Sequence, residues 1–488
     1  MQEQRRPHSP PQFPERSVFD GLARRQVGRP DLVAHSLAVL TPSLSALGTG
    51  LALPSIVGPG FWISTLLGFG LAWTLALVFD QFASRFNAAG SLYTYVAKGL
   101  GASVALVVGV AMVLGYGVLI GFGLTGGARR LEGAWSAAGG NAPGDQAGWV
   151  LVLLCATACV LVMRRGVHWS TRAALVTESV SVALLCTILS VWLVRYGLPD
   201  HGIFSLEGAS AGRVLAGAAL IATLTVAFES CASLGLEADR PLHAVPTSMR
   251  TSLLVTGSLF FAANLVGTVR PAGSPLWSRR WFGVGQDVSR PDALALLILA
   301  ASMLALALCA WTALSRLLFS FAREGIVSAA LGRTNAAGVP TVATWCVVPV
   351  ALAVPLGSWL VGGSATAVSG HLLHASTIIM CIAYACVAAA LVPFLWSLDE
   401  LRPRTAVLAG AALLGVGGVV VDRVVRETHD GSFLALGLLV GVIGTGLAWR
   451  AVLGAVQPRL VHQVGAHDEP LAAELLVASG PEDSRGPS

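Results

Sequence analysis

Lysine occurs once in 488 residues, at Lys98, and acids and bases together make up only 12% of the chain. Soluble domains carry about 25% charged residues. A chain this poor in charge cannot cover its own surface with solvated groups. That scarcity excludes a soluble globular enzyme, a disordered chain and a nucleic-acid binder. The 8 cysteines include no C-x-x-C pair and sit mostly inside apolar runs, so they read as small core residues. A P-loop, G-x-S-x-G, H-E-x-x-H or Rossmann fingerprint in a suitable context is also missing. The reading is therefore not an enzyme: no catalytic residues, no metal and no cofactor beyond a coupling ion. What the chain does have is 55% hydrophobic residues and a mean hydropathy of +0.72, which points to a polytopic membrane protein whose main partner is the lipid bilayer.

A spanning helix needs about 20 mostly apolar residues. Such runs lie at about 33–54, 60–84, 101–128, 148–164, 170–196, 213–236, 247–269, 292–321, 341–361, 372–397, 404–425 and 432–453. None alternates with period 2, so twelve helices are expected rather than a barrel. Residues 1–31, rich in Arg and Pro, read as a cytosolic tail without a signal-peptide pattern. The polar stretch 455–488 reads as a disordered cytosolic tail. With the N-terminus inside, 21 of the 31 cations fall on inner segments and 10 on outer ones, including Arg129 and Arg130. That excess sets N-in, C-in as the expected topology in a cell membrane.

Two spans carry interruptions. The first contains Thr41-Pro42-Ser43-Leu44-Ser45-Ala46-Leu47-Gly48-Thr49-Gly50, where Pro42 removes a donor and two glycines weaken the helix. The sixth contains Phe228-Glu229-Ser230-Cys231-Ala232-Ser233-Leu234-Gly235, an acid and small polar residues inside an apolar run. Breaks five spans apart point to an inverted-repeat transporter with its substrate at mid-membrane. The expected architecture is all-α, with 5+5 inverted repeats over about 33–196 and 213–397 inside a core of 32–397. Helices 11 and 12 follow over 398–454. Continuous, fully bonded α-helix over either Pro42–Gly50 or Phe228–Gly235 would remove the expected binding site, and the transporter reading with it.

At Gln81-Phe82-Ala83-Ser84-Arg85-Phe86-Asn87-Ala88-Ala89-Gly90-Ser91-Leu92-Tyr93-Thr94-Tyr95 the chain resembles amino acid–polyamine–organocation (APC) permeases after their second helix. Leu22–Pro42, Phe228–Pro246 and Ser315–Gly325 with Pro340 are similar to the family's first, sixth and eighth helices. The resemblance implies a LeuT-like fold and alternating access, with spans 1, 2, 6 and 7 rocking against 3, 4, 8 and 9. The chain departs from the family at several places. Gln81 replaces a usual Glu, with an acid displaced to Asp80. Asn87 replaces a Pro, Ala227 a Gly, and Thr223 an aromatic gate. Ser181 stands where some proton-driven members carry Lys. These departures leave coupling ion and substrate open.

A broken helix bares amides that bind a carboxylate and carbonyls that bind an ammonium. The expected substrate site is thus Thr41, Pro42, Ser43, Ala46, Leu47 and Gly48 with Phe228, Glu229, Ser230, Cys231 and Ala232, walled by Tyr116. Packing alone accounts equally well for Tyr116 and Phe228. An intramembrane acid is costly, so Glu229 reads as a proton-coupling group or as a structural acid bonded to a carbonyl. Glu178 reads as snorkelling inward near Arg172. Thr312 and Ser315 share a helix face and could hold sodium, although such residues commonly just pack. His371 and His374 read as interfacial. The expected function is secondary, proton-coupled uptake of an amino acid or related amine, a small molecule. An exchanger, a polyamine carrier and a non-transporting sensor stand as alternatives.

Overall fold

Apolar runs of this length can satisfy their backbone in lipid only by bonding within the segment, and the twelve runs do so. The computed structural model describes residues 19–141, 145–198, 201–269, 290–360 and 368–465. Twelve helices in it are long and apolar enough to cross a membrane, most within a few residues of their expected limits, while the third runs nine residues past its expected end, to Ala137, and the seventh begins six residues early, at Pro241. Among the described residues there is no strand, only an isolated bridge between Val27 and Ala238.

The first span is two helices, α1 (Arg29–Leu40) and α2 (Pro42–Val57). Then come α3 (Phe61–Ala83), a short inner helix α4 (Leu92–Leu100), α5 (Ala102–Ala137), α6 (Asp145–Arg164) and α7 (Val167–Tyr196). The sixth span is α8 (Ala211–Leu224) followed by a 3₁₀ helix, Phe228–Glu237. The remaining spans are α9 (Pro241–Thr268), α10 (Arg290–Arg323), α11 (Thr341–Leu360), α12 (Ser369–Ser397), α13 (Pro403–His429) and α14 (Leu434–Val456). With split spans five apart, the architecture is the LeuT-like 5+5 arrangement with two added C-terminal helices.

The helices pack in two groups. Spans 1, 2, 6 and 7 touch one another through α1–α9, α2–α9, α2–α8, α3–α8 and α3–α9. Spans 3, 4, 8 and 9 do so through α5–α10, α5–α6, α5–α11 and α10–α11. Helices α13 and α14 lie outside both, with Val407, Leu414, Val440 and Val456 exposed as lipid-facing residues should be.

Both interruptions lie slightly earlier than expected. Pro42–Gly50 is continuous helix, so the break expected within it is not there and the condition set against the reading is met for that stretch; the span is nevertheless split, because the chain opens one residue earlier, at Thr41 (φ 39°, ψ 61°). Proline is favoured at a first helical position, where its missing N–H costs nothing, so Pro42 starts α2 instead of breaking it. Gly48 and Gly50 are helical, and α9 packs closely on the second of them: a Cβ on Gly267 of α9 would lie 2.1 Å from the Gly50 carbonyl oxygen. In the sixth span the opening covers Thr225–Ala227, and Phe228–Glu237 is wound as 3₁₀ helix. A ten-residue 3₁₀ run is long for that geometry, so Phe228–Gly235 is neither α-helix nor an open loop.

The motif after the second span is an aromatic stack. Phe82 lies 5.1 Å from Tyr95 and 4.7 Å from Phe394 between ring centroids. Tyr93 donates to Glu324 at 2.5 Å. Burial, with that carboxylate behind it, pushes the Tyr93 phenol well above the usual tyrosine range and keeps it a donor. The displaced acid Asp80 pairs with Arg250 at 3.1 Å, joining spans 2 and 7.

Of the tails, 1–18 and 466–488 lie outside the described residues. The adjoining parts are ordered rather than tail-like. Phe19 and Leu22 are buried with Ala89, Leu236 and Phe319. Leu460, Val461 and Val464 pack on the core, and the Gly465 N–H donates to Glu324 at 3.1 Å.

Candidate functional site

At the first break Thr41 sits in the left-handed region, unusual for a β-branched residue. The last four carbonyls of a helix have no partner within it. Here the Thr41 N–H takes Ala38 O at 3.2 Å and the Ser45 hydroxyl takes Leu40 O at 3.1 Å. Val39 and Leu40, at the end of α1, border the cavity. On the other side α2 begins at a proline, so its first free donors are the amides of Ser43 and Leu44. The Ser43 hydroxyl is buried without a partner.

At the second break Ala227 has φ 68°, where a glycine is favoured. Its N–H donates to the Tyr384 hydroxyl at 2.7 Å, and Ser36 of α1 donates to Phe228 O at 2.6 Å. These bonds tie the second break to spans 10 and 1. The Ser230 hydroxyl is also buried and unpartnered.

Both breaks border one cavity of about 280 Å³. From the first span it takes Thr41, Ser45 and Gly48 on one face of α2; from the sixth it takes Thr223, Leu224 and Val226. Leu119, Phe122, Leu306 and Leu373 make its wall apolar, and Arg129 and Arg130 close the end farther from the chain termini. No Asp or Glu lines it.

One turn of α5 from Leu119, toward the termini, Tyr116 donates to Glu229 Oε1 at 3.0 Å, while Tyr384 donates to Oε2 at 2.6 Å. All three side chains are buried. The carboxyl group is thus clamped between span 3 and span 10 beneath the cavity floor. Sequence reading missed Tyr384. The available signal was its rarity, one of 5 tyrosines in the chain, since a phenol in an apolar run needs a partner.

The other expected site residues are placed as follows. Pro42 opens α2, whereas Ala46 and Leu47 face the packing between α2, α7 and α9 and not the cavity. Phe228 stacks on Phe79 at 5.5 Å, and Cys231 and Ala232 are buried in the main core, so none of the three lines the cavity. Ser181 is buried with its hydroxyl unpartnered. The Thr312 and Ser315 hydroxyls donate to the Leu308 and Thr312 carbonyls of their own helix, at 2.8 and 2.9 Å. Glu178 does not snorkel: it is 3% exposed and accepts from Ser302 of α10 at 2.7 Å, because span 8 covers it before it can reach the surface. His371 and His374 open α12, and His374 borders a separate cavity with Asp422 and Arg423. Arg316 is buried and forked onto Glu237 at 2.9 and 3.1 Å, locking the end of the sixth span to α10.

Paired breaks with bare peptide groups around a mid-membrane cavity define a secondary transporter. Residues 33–442 match the amino acid permease family, and the chain belongs to it. It is 24% identical over 332 residues to the branched-chain amino acid permease BcaP of Lactococcus lactis subsp. cremoris, covering 62% of this chain and 70% of that one. It is 27% identical over 254 residues to the methylthioribose transporter of Bacillus subtilis, covering 49% and 51%. Among solved structures it is similar to Mhp1, a nucleobase-cation-symport-1 family transporter with bromovinylhydantoin bound. There the TM-score is 0.50 at 13% identity, over 92% of this chain and 98% of that one, a likeness of fold.

Proposed function

We propose that this permease takes up an amino acid together with a proton across the cell membrane, with both termini in the cytoplasm. The observation that carries the reading is the cavity bounded by both helix breaks with Glu229 clamped directly beneath it. The amides that open α2, at Leu44 beside the cavity, would take the α-carboxylate, and the carbonyls that end α1, at Val39, the ammonium. The walls from Leu119, Phe122, Val226 and Leu306 suit an apolar side chain, in line with the branched-chain substrate in the name of one relative. A polyamine would need acids in the wall, and none lines it.

Proton coupling is supported over sodium by the site residues themselves. The Thr312 and Ser315 hydroxyls give their hydrogens to their own helix and keep lone pairs that a cation could use, so the preference rests on Glu229, which bridges three spans that must separate for the cavity to open toward the termini. Protonation would remove the charge that holds both tyrosines and release the clamp. The two packing groups provide the bodies for a rocking motion. The excess of cations on the terminus side supports the orientation. The test is uptake into proteoliposomes under an imposed proton gradient. Glu229→Gln should bind substrate but lose gradient-driven accumulation, and unchanged accumulation would remove the coupling assignment.

A further inference from the structure

Arg130 looks like a loop cation by sequence, but α5 continues to Ala137 and buries it. It is 7% exposed and lines the substrate cavity. Its Nη1 donates to Gly126 O at 2.8 Å, and its Nε has no acceptor. It makes no ion pair with any described residue. Removing a guanidinium from water without a counter-charge is strongly unfavourable, so this cavity is short of an anion. Room for the group is built in. Leu119, Phe122, Gly126 and Arg130 follow one face of α5, and a Cβ on Gly126 would come 3.2 Å from Nη1 and 2.3 Å from Met303 Cε. The fold-back over Gly126 points the guanidinium toward the breaks. From Leu119 to Gly126 is seven residues, a rise of about 10 Å. The guanidinium is therefore carried on the part of α5 beyond Leu119, at the outer end of the cavity.

We propose that Arg130 is a second carboxylate-binding residue of this transporter, placed between the outer end of the cavity and the helix breaks. The inference rests on the proposed amino acid reading and extends it. The shared chemistry is a carboxylate, and it has two sources. One is the α-carboxylate of an entering substrate, held before it passes to the α2 amides. The other is the distal carboxylate of a two-acid substrate already seated. Guanidinium suits either, because its planar fork donates two parallel bonds.

The test is initial-rate uptake of L-leucine and L-glutamate by the full chain in proteoliposomes, for wild type, Arg130→Gln and Arg130→Lys. Under capture on entry, Arg130→Gln raises the KM for L-leucine about tenfold with kcat nearly unchanged, since uniform binding is what is lost. Under distal recognition, kcat/KM for L-glutamate falls by about tenfold while L-leucine is spared. Arg130→Lys keeps the charge but not the fork, so it gives an intermediate KM and decides the matter if Arg130→Gln does not fold. Transport by wild type with both variants within about twofold of it on every substrate carried overturns this inference alone. Wild type that carries neither probe overturns this inference, and wild type that carries none of the twenty amino acids overturns the amino acid reading as well.

Discussion

Tyr384→Phe isolates the bond that holds the second break. The substitution keeps the ring beside Phe79 and Phe228, at centroid distances of 5.5 and 6.4 Å. It removes one hydroxyl that serves two partners, the Ala227 N–H at 2.7 Å and Glu229 Oε2 at 2.6 Å. Hydrogen bonds between membrane helices contribute about 0.6 kcal/mol on average and up to about 1.7. Two such bonds put the cost at about 1–3 kcal/mol. Tyr116→Phe breaks only the 3.0 Å bond to Oε1, so its cost is about half as large. The Ala227 amide widens the gap, because no other acceptor is bonded to it and its left-handed backbone holds it in place. The assay is reversible unfolding in mixed micelles of wild type, both single variants and the double variant. The ordering Tyr384 over Tyr116 is the expected result. Equal losses, or a Tyr384→Phe protein as stable as wild type, would refute the claim that the phenol closes the break.

Arg316 and Glu237 are both 1% exposed, so removing either charge alone should cost about 3–5 kcal/mol, while Arg316→Leu with Glu237→Leu should recover most of it; unfolding midpoints of the three proteins check this. Gly235→Ala drives a Cβ to 2.1 Å from Asn87 Oδ1 and should destabilise by about 1–3 kcal/mol, and Asn87→Ala in the same chain should restore folding yield. If the second change rescues nothing, Gly235 is needed for its backbone and not for that contact. Glu229→Gln should retain counterflow exchange of preloaded substrate while losing accumulation, which separates a coupling role from a binding one.

Span number and most limits were legible because lipid imposes a length and a composition on every crossing. The breaks were legible in kind but not in position. Glycine weakens a helix in isolation, so Gly48 and Gly50 drew the first break into α2. In the structure the close approach to Gly267 uses Gly50 as packing surface, and the opening falls on Thr41. In the sixth span the cluster of polar residues drew the break to Phe228–Gly235. The opening falls at Thr225–Ala227, and the Ala227 amide there is met by Tyr384, a residue 157 positions away that no local pattern reveals. Arg130 was hidden by hydropathy itself. An arginine ends an apolar run on paper, yet the helix runs on to Ala137 and folds the side chain back over Gly126. Glu178 shows the same weakness, since whether an acid snorkels depends on the neighbour above it, here Ser302.

The account turns on the peptide groups on either side of Thr41 gripping the two charges of an amino acid. The direct measurement is thermal stabilisation of the purified protein by each of the twenty amino acids, with every ligand that stabilises compared against its carboxamide and its des-amino acid. A ligand that binds only the folded state raises its stability. The account predicts that the intact amino acid shifts the midpoint and that loss of either the carboxylate or the ammonium abolishes the shift. Equal stabilisation by the amide or by the des-amino acid would contradict it.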